Sequence, residues 1–535
     1  YVDPIPEDMS TFTHNIELLN TFDLTAVETA LARIAQYENH GLDIETNGLK
    51  PYKAGAKILT LAAGTYEDTV AIPIRHREAK WRPDQLKKLD QIIYEYLLNS
   101  GRKWCHNTKF EQEWLAFFYG KDLLFETTWG DTMAQAHVLD ERRGKALEDV
   151  TLRLFGFNIK DQHQVNVDNL DAERLDDVLL YNATDAKYTD AASHVQHATL
   201  EEEQLVPVYD QAMAHCRTLV LAQMKGMVPN TPEIQRIAKQ LAKEMVDAAA
   251  AVRENAGVQA WEKKNQKHFK PTSSTDVLSL MHSLGHKIEN TEEPELEKVK
   301  HPAAKLILTV RQNQKLEGTY ITPYLPKGKR IYADGLIHGN FNHLVTVTTR
   351  LASDDPNLQN FPKRRAKYIR NIIRAPEGYW IGSFDYAQIE ARIMAMLAHA
   401  KKLTDQLWAK FDIHGHWANR IFELDPSWYD YIAHEFSLLL KDEKLIRKTA
   451  RHEAKNRWVF ASFYGSVPEA CAPALHIDPD IARQLGMEFW RDYHEVKAWI
   501  QQTKDKYNRV GYCETLFGWR RRWGKNVAPL STNEL

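Results

Sequence analysis

The sequence has few cysteines and no long apolar run, and each shortage excludes a class of protein. Four cysteines lie far apart in 535 residues, with no Cys-x-x-Cys pair: Cys105, Cys216, Cys471 and Cys513. This pattern argues against a disulfide-stapled fold or a zinc finger and favours reduced thiols in the cytoplasm. No stretch approaches eighteen consecutive apolar residues, so no membrane span is predicted. The opening residues YVDPIPEDMS lack the basic and apolar parts of a signal peptide.

The chain also lacks an excess of either charge. Its 69 Lys and Arg nearly balance 72 Asp and Glu, for a formal net charge of −3. A balanced sum still allows a basic groove beside acidic metal sites. With 43% hydrophobic residues, 24 glycines and 21 prolines, the composition excludes a collagenous or wholly disordered chain. The length exceeds what one hydrophobic core supports, so we expect several domains.

Secondary-structure signals change along the chain. Strands and helices alternate up to about residue 200, which predicts a compact α/β domain. Long helices with polar faces are predicted from 201 to 340, interrupted by the turn-rich KPTSSTD. An extended stretch, GLIHGNFNHLVTVTTRLAS, follows. Beyond it we predict a basic segment, a strand that leads into a helix near Asp385, and a helical region to about residue 508.

Acidic residues recur at three places in the α/β part. Asp43 and Glu45 lie two apart on a predicted strand, so their carboxylates share one face. Tyr181 and Asp185 lie four apart on a predicted helix and also share a face. Asp131 is a further acidic position of less certain role. Although an isolated Asp-x-Glu pair is more often a solvated edge, this set fits a phosphodiesterase that uses two metal ions.

Four segments make that interpretation specific, because they resemble, in order, the motifs of the 3′–5′ proofreading exonuclease domain attached to family A DNA polymerases: LDIETNG, WCHNTKFEQEWL, DTMAQAHVLDERR and YNATDAKYT. The resemblance implies that Asp43, Glu45 and Asp185 are metal ligands and that Tyr181 orients the attacking water. Many family members have Asp where this chain has Glu111. Glutamate keeps the charge but reaches one methylene further, which bears on metal spacing and rate.

A second set of motifs follows residue 340. Alone, Asp385 at a strand-to-helix junction is more often a helix cap. However, the surrounding string FDYAQIEAR is similar to the first palm motif of family A DNA polymerases. The upstream segment TVTTRLASDDPNLQNFPKR resembles the family's segment that grips the primer terminus. Two downstream segments resemble the fingers: DIHGHWANRIF and RHEAKNRWVFASFYG. FKPTSSTD and RQNQKLEGTY match the thumb and its approaches. The resemblance covers about residues 35–535 and points to the bacterial polymerase I superfamily, of bacteriophage type or bacterial.

The resemblance implies roles for the motif residues. Asp385 would bind both magnesium ions, and Glu390 would exclude a ribose 2′ hydroxyl. Arg350 would contact the primer terminus or the nucleotide, although Thr349 replaces the usual glycine before it. The other implied nucleotide-binding residues are Gln388, His414, Arg451, Lys455, Phe460 and Tyr464. The last two would stack on the incoming base and lie beside the template nucleotide, and the three basic residues would hold the triphosphate.

The spacing in the predicted fingers helix departs from the family. Arg451 and Lys455 lie four apart, as do Phe460 and Tyr464, but Lys455 and Phe460 lie five apart. At about 100° per residue, an ideal helix would turn the aromatic pair away from the basic pair. We therefore predict a one-residue π-bulge between Lys455 and Phe460, which restores a common face.

Two basic clusters are predicted to contact DNA phosphates, which position a protein without specifying sequence. A charge run is usually a solvated face, and that alternative stays open for each residue alone. The clusters are Lys363, Arg364, Arg365, Lys367, Arg370 and Arg374, and then Arg520, Arg521, Arg522 and Lys525.

The His-Asp-Glu motif that carries the second polymerase carboxylate in the family does not occur after GYCETLFGWRRR. Three explanations remain open: a split polymerase whose remaining palm comes from a second polypeptide, a truncated polymerase, and a stand-alone 3′–5′ exonuclease. A non-enzymatic DNA-binding replication protein is a further alternative, against which the intact acidic residues argue. We expect no attached 5′ nuclease before residue 35.

The expected fold is multidomain α/β and α+β, a ribonuclease H-like exonuclease domain followed by a right-hand polymerase domain. Its expected parts are the exonuclease (1–200), thumb and connecting helices (201–340), first part of the palm (341–400), fingers (401–510) and an incomplete return to the palm (511–535). The implied activity is template-directed DNA synthesis with proofreading, in phage replication within the bacterial cytoplasm. The implied cofactor is Mg²⁺, with Mn²⁺ as the alternative ion, and the implied partners are primer-template DNA and deoxyribonucleoside triphosphates.

Overall fold

The structure, a computed structural model, describes residues 14–162, 165–362, 366–436 and 441–523. The chain divides into two units. The first comprises Tyr1–Leu139 and Arg143–Ile381, and the second comprises Asp140–Arg142 and Gly382–Leu535. Among the described residues, no helix is both long and apolar enough to cross a bilayer.

A six-stranded mixed sheet organises the first part of unit 1. Its strands are β1 (Ile16–Leu18), β2 (Asn39–Thr46), β3 (Ile58–Thr65), β4 (Asp68–Pro73), β5 (Arg102–Cys105) and β6 (Trp129–Asp131), in the spatial order β1-β4-β3-β2-β5-β6. Strands β2, β3 and β4 pair antiparallel, whereas β1, β5 and β6 run parallel to their neighbours. Nearly every residue of β3 is buried, as expected for a strand covered on both faces.

Helices cover both faces of this sheet. They are α1 (Leu24–Ile34), α2 (Pro83–Asn99), α3 (Lys109–Phe118), α4 (Leu123–Glu126), α5 (Thr132–Leu139), α6 (Leu147–Phe155) and α7 (Leu175–Glu202), with 3₁₀ turns at Ile159–Gln162 and Val167–Ala172. Branched side chains of β2 and β3 form a core with α1, α2 and α3. On the other face, Ala62 and Ala71 pack against Leu179, Ala183 and Ala186 of α7, where small residues allow close approach. The predicted α/β domain is confirmed.

The rest of unit 1 is mostly helical, as its polar-faced periodicity predicts. Its elements are α8 (Val206–Lys225), β7 (Val228–Pro229), α9 (Thr231–Glu254), α10 (Ala256–Asn265), α11 (Ser274–Ser283), α12 (Glu293–Glu297), α13 (Pro302–Tyr320), β8 (Asn340–Asn342), β9 (Ala352–Asp354) and β10 (Ile373–Arg374), with 3₁₀ turns at Thr322–Tyr324, Leu358–Asn360 and Lys367–Ile372. Ile234, Ile237 and Leu241 recur at helical spacing on α9 and are buried. The predicted extended stretch forms the short β8–β9 pair and an isolated antiparallel bridge between Ile337 and Met227.

In its described residues, unit 2 is helical apart from one two-stranded hairpin. Its elements are α14 (Ile389–Leu397), α15 (Lys401–Trp408), α16 (Ile413–Leu424), α17 (Ser427–Glu435), α18 (Glu443–Ala454), a π-helix (Lys455–Val459), α19 (Phe460–Phe463), α20 (Pro468–Leu475), α21 (Pro479–Asp492), α22 (His494–Val510), β11 (Tyr512–Glu514) and β12 (Arg520–Arg522). Aromatic side chains, including Trp417, Trp428, Trp458 and Phe489, fill its core.

The strand predicted before Asp385 is absent, so that prediction is wrong. Residues 379–386 have no regular secondary structure, and a helix begins only at Ile389. A strand needs hydrogen bonds to a neighbouring strand, and none of the described strands pairs with this segment. Its apolar side chains are consequently exposed, with Trp380 at 96% and Phe384 at 97%.

Candidate functional site

Three carboxylates come together where β2 and α7 meet. Asp43 and Glu45 alternate along β2 and share one face, while Asp185 lies on α7. Ligand oxygens of the three residues lie within 4.8 Å of one another. In the part of the chain that the structure describes, no other group of three acidic, histidine or cysteine side chains is close enough to share a metal ion. The structure thus places the three predicted metal ligands together.

A glycine and an asparagine set the geometry of this cluster. A Cβ atom at Gly41 would collide with the main-chain carbonyl oxygen of Ala186, so only glycine allows β2 to approach α7 this closely. Asn182 Nδ2 on α7 donates a hydrogen bond of 2.6 Å to Asp43 Oδ2. Asn182 is itself held by Thr60, whose hydroxyl donates to Asn182 Oδ1 over 2.8 Å. The orientation of Asp43 therefore depends on Asn182 of α7 and, through it, on Thr60 of β3.

The cluster concentrates negative charge in a poorly hydrated place. Burial, and then the charge of Asp185, raises the pKa of Asp43 above its usual range. Burial also raises the pKa of Glu45, and the charges of Asp43 and Asp185 add to that rise. Carboxylates in these surroundings repel one another unless a cation lies among them. Ionised carboxylates only accept hydrogen bonds and are ligands that hard divalent cations prefer, so the donor set fits Mg²⁺ or Mn²⁺.

Lys160 is a member of this cluster that the sequence did not indicate. Its Nζ lies 2.5 Å from Asp185 Oδ2 and 2.5 Å from the Tyr181 hydroxyl oxygen. Burial alone would lower the pKa of Lys160, but the charge of Asp185 and the contact with Tyr181 raise it above its ordinary value. The segment FNIKDQH contains no motif, and a lysine in a turn is usually a surface residue. Only the fold reveals its position.

Glu111 lies close to the cluster without joining it. This residue of α3 is 2% exposed, and burial followed by the charge of Asp43 raises its pKa. Its Oε2 atom is buried and has no hydrogen-bond partner among the described residues. An ionised carboxylate in that condition is costly, which is consistent with a place beside a cation.

Asp131 has a different position. Its carboxylate accepts hydrogen bonds from four backbone N–H groups, those of Asn107, Thr108, Met133 and Ala134, over 2.8–3.2 Å. Burial raises its pKa to about 6 although these donors oppose the rise. The Asp131 carboxylate thereby joins the loop before α3 to the start of α5, and its role is to stabilise the backbone at this junction.

A second group of predicted site residues comes together in unit 2. Lys455 Nζ lies 5.2 Å from the centroid of the Phe460 ring, and the His414 ring lies 5.5 Å from the same ring, centroid to centroid. The Phe460 and Tyr464 rings are 6.3 Å apart. The basic and aromatic residues therefore share one surface.

The predicted π-bulge is confirmed. Helix α18 ends at Ala454, the π-helix spans Lys455–Val459, and α19 begins at Phe460. A π-helix accommodates one extra residue within a helical turn. The insertion is what allows Lys455 to reach Phe460 in spite of the five-residue spacing. Trp458 and Val459, in the same turn, point into the core and anchor it.

Arg451 and His414 are linked through Asp412. Both Asp412 carboxylate oxygens accept from Arg451 Nε, at 2.9 and 2.8 Å. Asp412 Oδ1 also accepts from the backbone N–H of Gly415 and so caps α16, which carries His414. Burial, and then the charges of Arg451 and Lys455, lowers the pKa of His414 to about 4. The imidazole is neutral at pH 7.

The site residues predicted between 385 and 390 are less enclosed. The Tyr464 hydroxyl donates a hydrogen bond of 3.1 Å to Glu390 Oε2. Gln388 precedes α14 with φ at 54°, a left-handed conformation, and is exposed. Asp385 is also exposed and lies on the segment without regular structure. It is not part of a three-ligand cluster among the described residues.

The predicted DNA-binding residues differ in their surroundings. Lys363, Arg364 and Arg365 lie outside the described residues. Arg520 Nε lies 3.6 Å from Glu514 Oε2 within the hairpin, and Arg521 pairs with Glu141 of the 140–142 segment at 3.1 Å. Arg350, in unit 1, is exposed, and its carbonyl accepts from the Thr346 hydroxyl.

A cleft of about 850 Å³ in unit 2 was not indicated by the sequence. It begins at Gly465, directly after Tyr464, and is bordered by α20, α21 and α22. Its lining combines the aromatic Trp490 with the basic Arg483, Arg491 and Lys497. Residues from three separate helices form it, so no local pattern could have revealed it.

Comparisons with known proteins agree with this arrangement. The family model described as DNA polymerase family A matches residues 231–532, more than half of the chain, and the model described as 3′–5′ exonuclease matches residues 20–191. DNA polymerase I of Chloroflexus aurantiacus is 27% identical over 522 residues, which cover 93% of this chain and 52% of that protein. The thermostable DNA polymerase I of Thermus filiformis is 35% identical over 230 residues, 43% of this chain and 25% of that protein.

The fold has a solved counterpart. The structure described as the POL domain of Pol1 from M. smegmatis in complex with DNA primer-template and dNTP matches with a TM-score of 0.69 and 20% identity, over 96% of this chain and 83% of that chain. The chain spans about half the length of the Chloroflexus relative. From the two family matches, the chain belongs to DNA polymerase family A and carries a 3′–5′ exonuclease domain in its N-terminal part.

Proposed function

We propose that this chain removes nucleotides from the 3′ end of DNA and provides the larger part of a template-directed DNA polymerase. The observation that carries the proposal is the Asp43, Glu45 and Asp185 cluster with Tyr181 beside it. The match of residues 20–191 to the 3′–5′ exonuclease model supports the first activity, and the match of residues 231–532 supports the second. A bacteriophage origin stays a prediction.

In the exonuclease reaction, the three carboxylates would hold Mg²⁺, with Mn²⁺ as the alternative ion. Bound cations would supply an activated water and stabilise charge on the leaving 3′ oxygen. Asn182 keeps the Asp43 carboxylate in the orientation that the cluster requires. The Tyr181 hydroxyl orients the attacking water, and Glu111 contributes a further negative charge beside the ligands.

In the polymerase reaction, unit 2 would bind the incoming nucleotide on the surface shared by its basic and aromatic residues. Arg451, Lys455 and His414 hold the triphosphate, and Phe460 stacks on the base, an interaction that every base can make. Glu390, held by the Tyr464 hydroxyl, occupies the space that a ribose 2′ hydroxyl would need. Asp385 is the proposed ligand for the polymerase cations, while Gln388 and Arg350 contact nucleotide or primer.

The template strand would enter the cleft that follows Tyr464. Lys497 and Arg491 are placed to contact phosphates, and Trp490 offers a ring for base stacking. The cleft volume of about 850 Å³ is sufficient for one or two nucleotides. The predicted basic clusters at 363–365 and 520–521 would contact the backbone of the duplex.

A further polypeptide segment would complete the palm around Asp385. In unit 2, the rings of Phe384 and Tyr386 are exposed on the segment without regular structure. A strand that paired there would bury these rings and bring a second carboxylate to Asp385. A second polypeptide or a continuation of the same chain would both meet this requirement.

Two DNA assays test the proposal. With a 5′-labelled single strand and Mg²⁺, the chain should shorten DNA from the 3′ end, the variant with both Asp43→Ala and Glu45→Ala should not, and Asp385→Ala should behave as wild type. Undiminished shortening by the double variant would overturn the exonuclease assignment.

Primer extension tests the polymerase assignment. Extension by the chain, alone or with a co-purifying polypeptide, should disappear in Asp385→Ala and persist in the Asp43→Ala, Glu45→Ala variant. Shortening without extension under both conditions would instead favour a stand-alone exonuclease. A protein that binds DNA but does neither would be the non-enzymatic replication protein.

A further inference from the structure

Lys160 enters the exonuclease carboxylate cluster from a turn that the core holds firmly. It lies in the 3₁₀ turn Ile159–Gln162, and the neighbouring Ile159 is fully buried against Leu147 and Tyr188. The backbone of Lys160 is thereby fixed while its side chain reaches the cluster. An exposed lysine with a mobile backbone would not be held in this way.

The lysine ammonium group makes two short contacts with residues of the proposed exonuclease reaction. It donates to Asp185 Oδ2 and to the Tyr181 hydroxyl oxygen, each over 2.5 Å, and lies 4.1 Å from the centroid of the Tyr181 ring. An ammonium group has three donors and no acceptor. The phenol oxygen accepts from Lys160, so the phenol proton is directed away from the ammonium group.

The same contact affects the charge that the cluster offers to a metal ion. Asp43, Glu45 and Asp185 are drawn together by the fold, and Lys160 neutralises part of their charge. A divalent cation that binds Asp185 Oδ2 must displace the ammonium group or tolerate its repulsion. Like charges a few ångström apart repel each other, and the repulsion is stronger where water is excluded.

We propose that Lys160 is a positioning residue of the exonuclease site, which fixes the Tyr181 hydroxyl and serves as an internal cation that a divalent ion displaces from Asp185. The inference rests on the exonuclease function proposed above. Loss of the ammonium group should therefore strengthen metal binding, because it removes a repelling charge. The same change should slow DNA cleavage, because it removes the support of Tyr181.

Metal affinity gives the decisive measurement. Mn²⁺ binding to the DNA-free protein is measured by titration calorimetry for wild type, Lys160→Met and Lys160→Arg. We expect Lys160→Met to bind Mn²⁺ about tenfold more tightly, or about 1.4 kcal/mol, and to cleave DNA at least tenfold more slowly at saturating Mn²⁺. Lys160→Arg should stay near wild type in both. Lys88→Met, which removes an exposed lysine of α2, is the control for net charge.

A role in folding alone would lower metal affinity and activity together, so unchanged or weaker Mn²⁺ binding in Lys160→Met overturns the proposal. If that variant does not fold, Lys160→Gln makes the same comparison. In an Asp185→Asn background, loss of Lys160 should no longer change Mn²⁺ affinity, because the pair is already broken. Failure of the exonuclease function itself would appear separately, as a wild-type chain that does not shorten DNA.

Discussion

Thr349 has a backbone conformation that glycine adopts more readily. Its φ is 59°, in the left-handed region, where a β-branched side chain is strained. The resemblance to family A polymerases places a glycine at this position, and the φ angle supplies the physical reason for it.

The strain at Thr349 predicts a stabilising substitution. Thr349→Gly should raise the free energy of unfolding by about 0.5–1 kcal/mol, because relief of strain exceeds the added entropy of the unfolded chain. The melting temperature of unit 1 measures the effect. The neighbouring Thr348, whose φ is not positive, is the control, and Thr348→Gly should lower stability. Equal losses from both changes would contradict the argument.

His414 predicts a pH dependence of stability. Its pKa of about 4 in the fold lies below the ordinary value of 6.5, through burial and the charges of Arg451 and Lys455. The unfolded chain therefore binds more protons between about pH 4 and 6.5, and the contribution of His414 to stability falls as pH falls through that window. His414→Gln should lose less stability than wild type between pH 7 and pH 5, measured by thermal melting. A constant difference between the two proteins would rule this out.

At the scale of single elements, the contact between β2 and α7 decides the exonuclease geometry. Gly41→Ala would press a methyl group against the backbone of Ala186. This overpacking should lower the free energy of unfolding by at least about 1–3 kcal/mol. It should also weaken Mn²⁺ binding, because β2 would be moved away from Asp185. Gly48→Ala is the matched control, since a Cβ atom there meets nothing within 4 Å. Normal Mn²⁺ affinity in Gly41→Ala would show that the close approach is unnecessary.

The π-helix gives a second prediction about one element. Deletion of the exposed Asn456 would restore an ordinary α-helical register and turn Phe460 away from Lys455. The folded helix content should persist in circular dichroism, while affinity for a deoxyribonucleoside triphosphate should fall at least tenfold. Asn456→Ala keeps the register and should bind as wild type. Unchanged affinity after the deletion would separate the π-helix from nucleotide binding.

The spacing of residues along the sequence was sufficient to predict the elements that carry the exonuclease cluster and the π-helix. Alternation on β2 and the four-residue spacing on α7 predict the faces on which Asp43, Glu45 and Asp185 lie. The five-residue spacing between Lys455 and Phe460, at about 100° per residue, predicts the π-helix. The segment before Asp385 was predicted as a strand from its residues alone, but a strand depends on a neighbour. Lys160 and the cleft after Tyr464 depend on contacts between distant segments, for which the sequence has no local signal.

Binding of a divalent cation should stabilise the folded state of unit 1, which is the larger part of the molecule. In metal-free protein, Asp43→Asn with Glu45→Gln should raise the melting temperature, because two mutually repelling carboxylates are removed. Mg²⁺ or Mn²⁺ should raise the melting temperature of wild type by a few degrees through binding to the native state, and a chelator should reverse this. The double variant should show no such rise. Scanning calorimetry with and without metal measures both effects.

The exposed rings of Phe384 and Tyr386 in unit 2 also affect how the chain behaves in concentrated solution. Large aromatic rings exposed to water favour contact with other copies of the same chain. Self-association that increases with concentration and is detectable by light scattering is the expected result. A polypeptide that covered these rings would reduce this self-association.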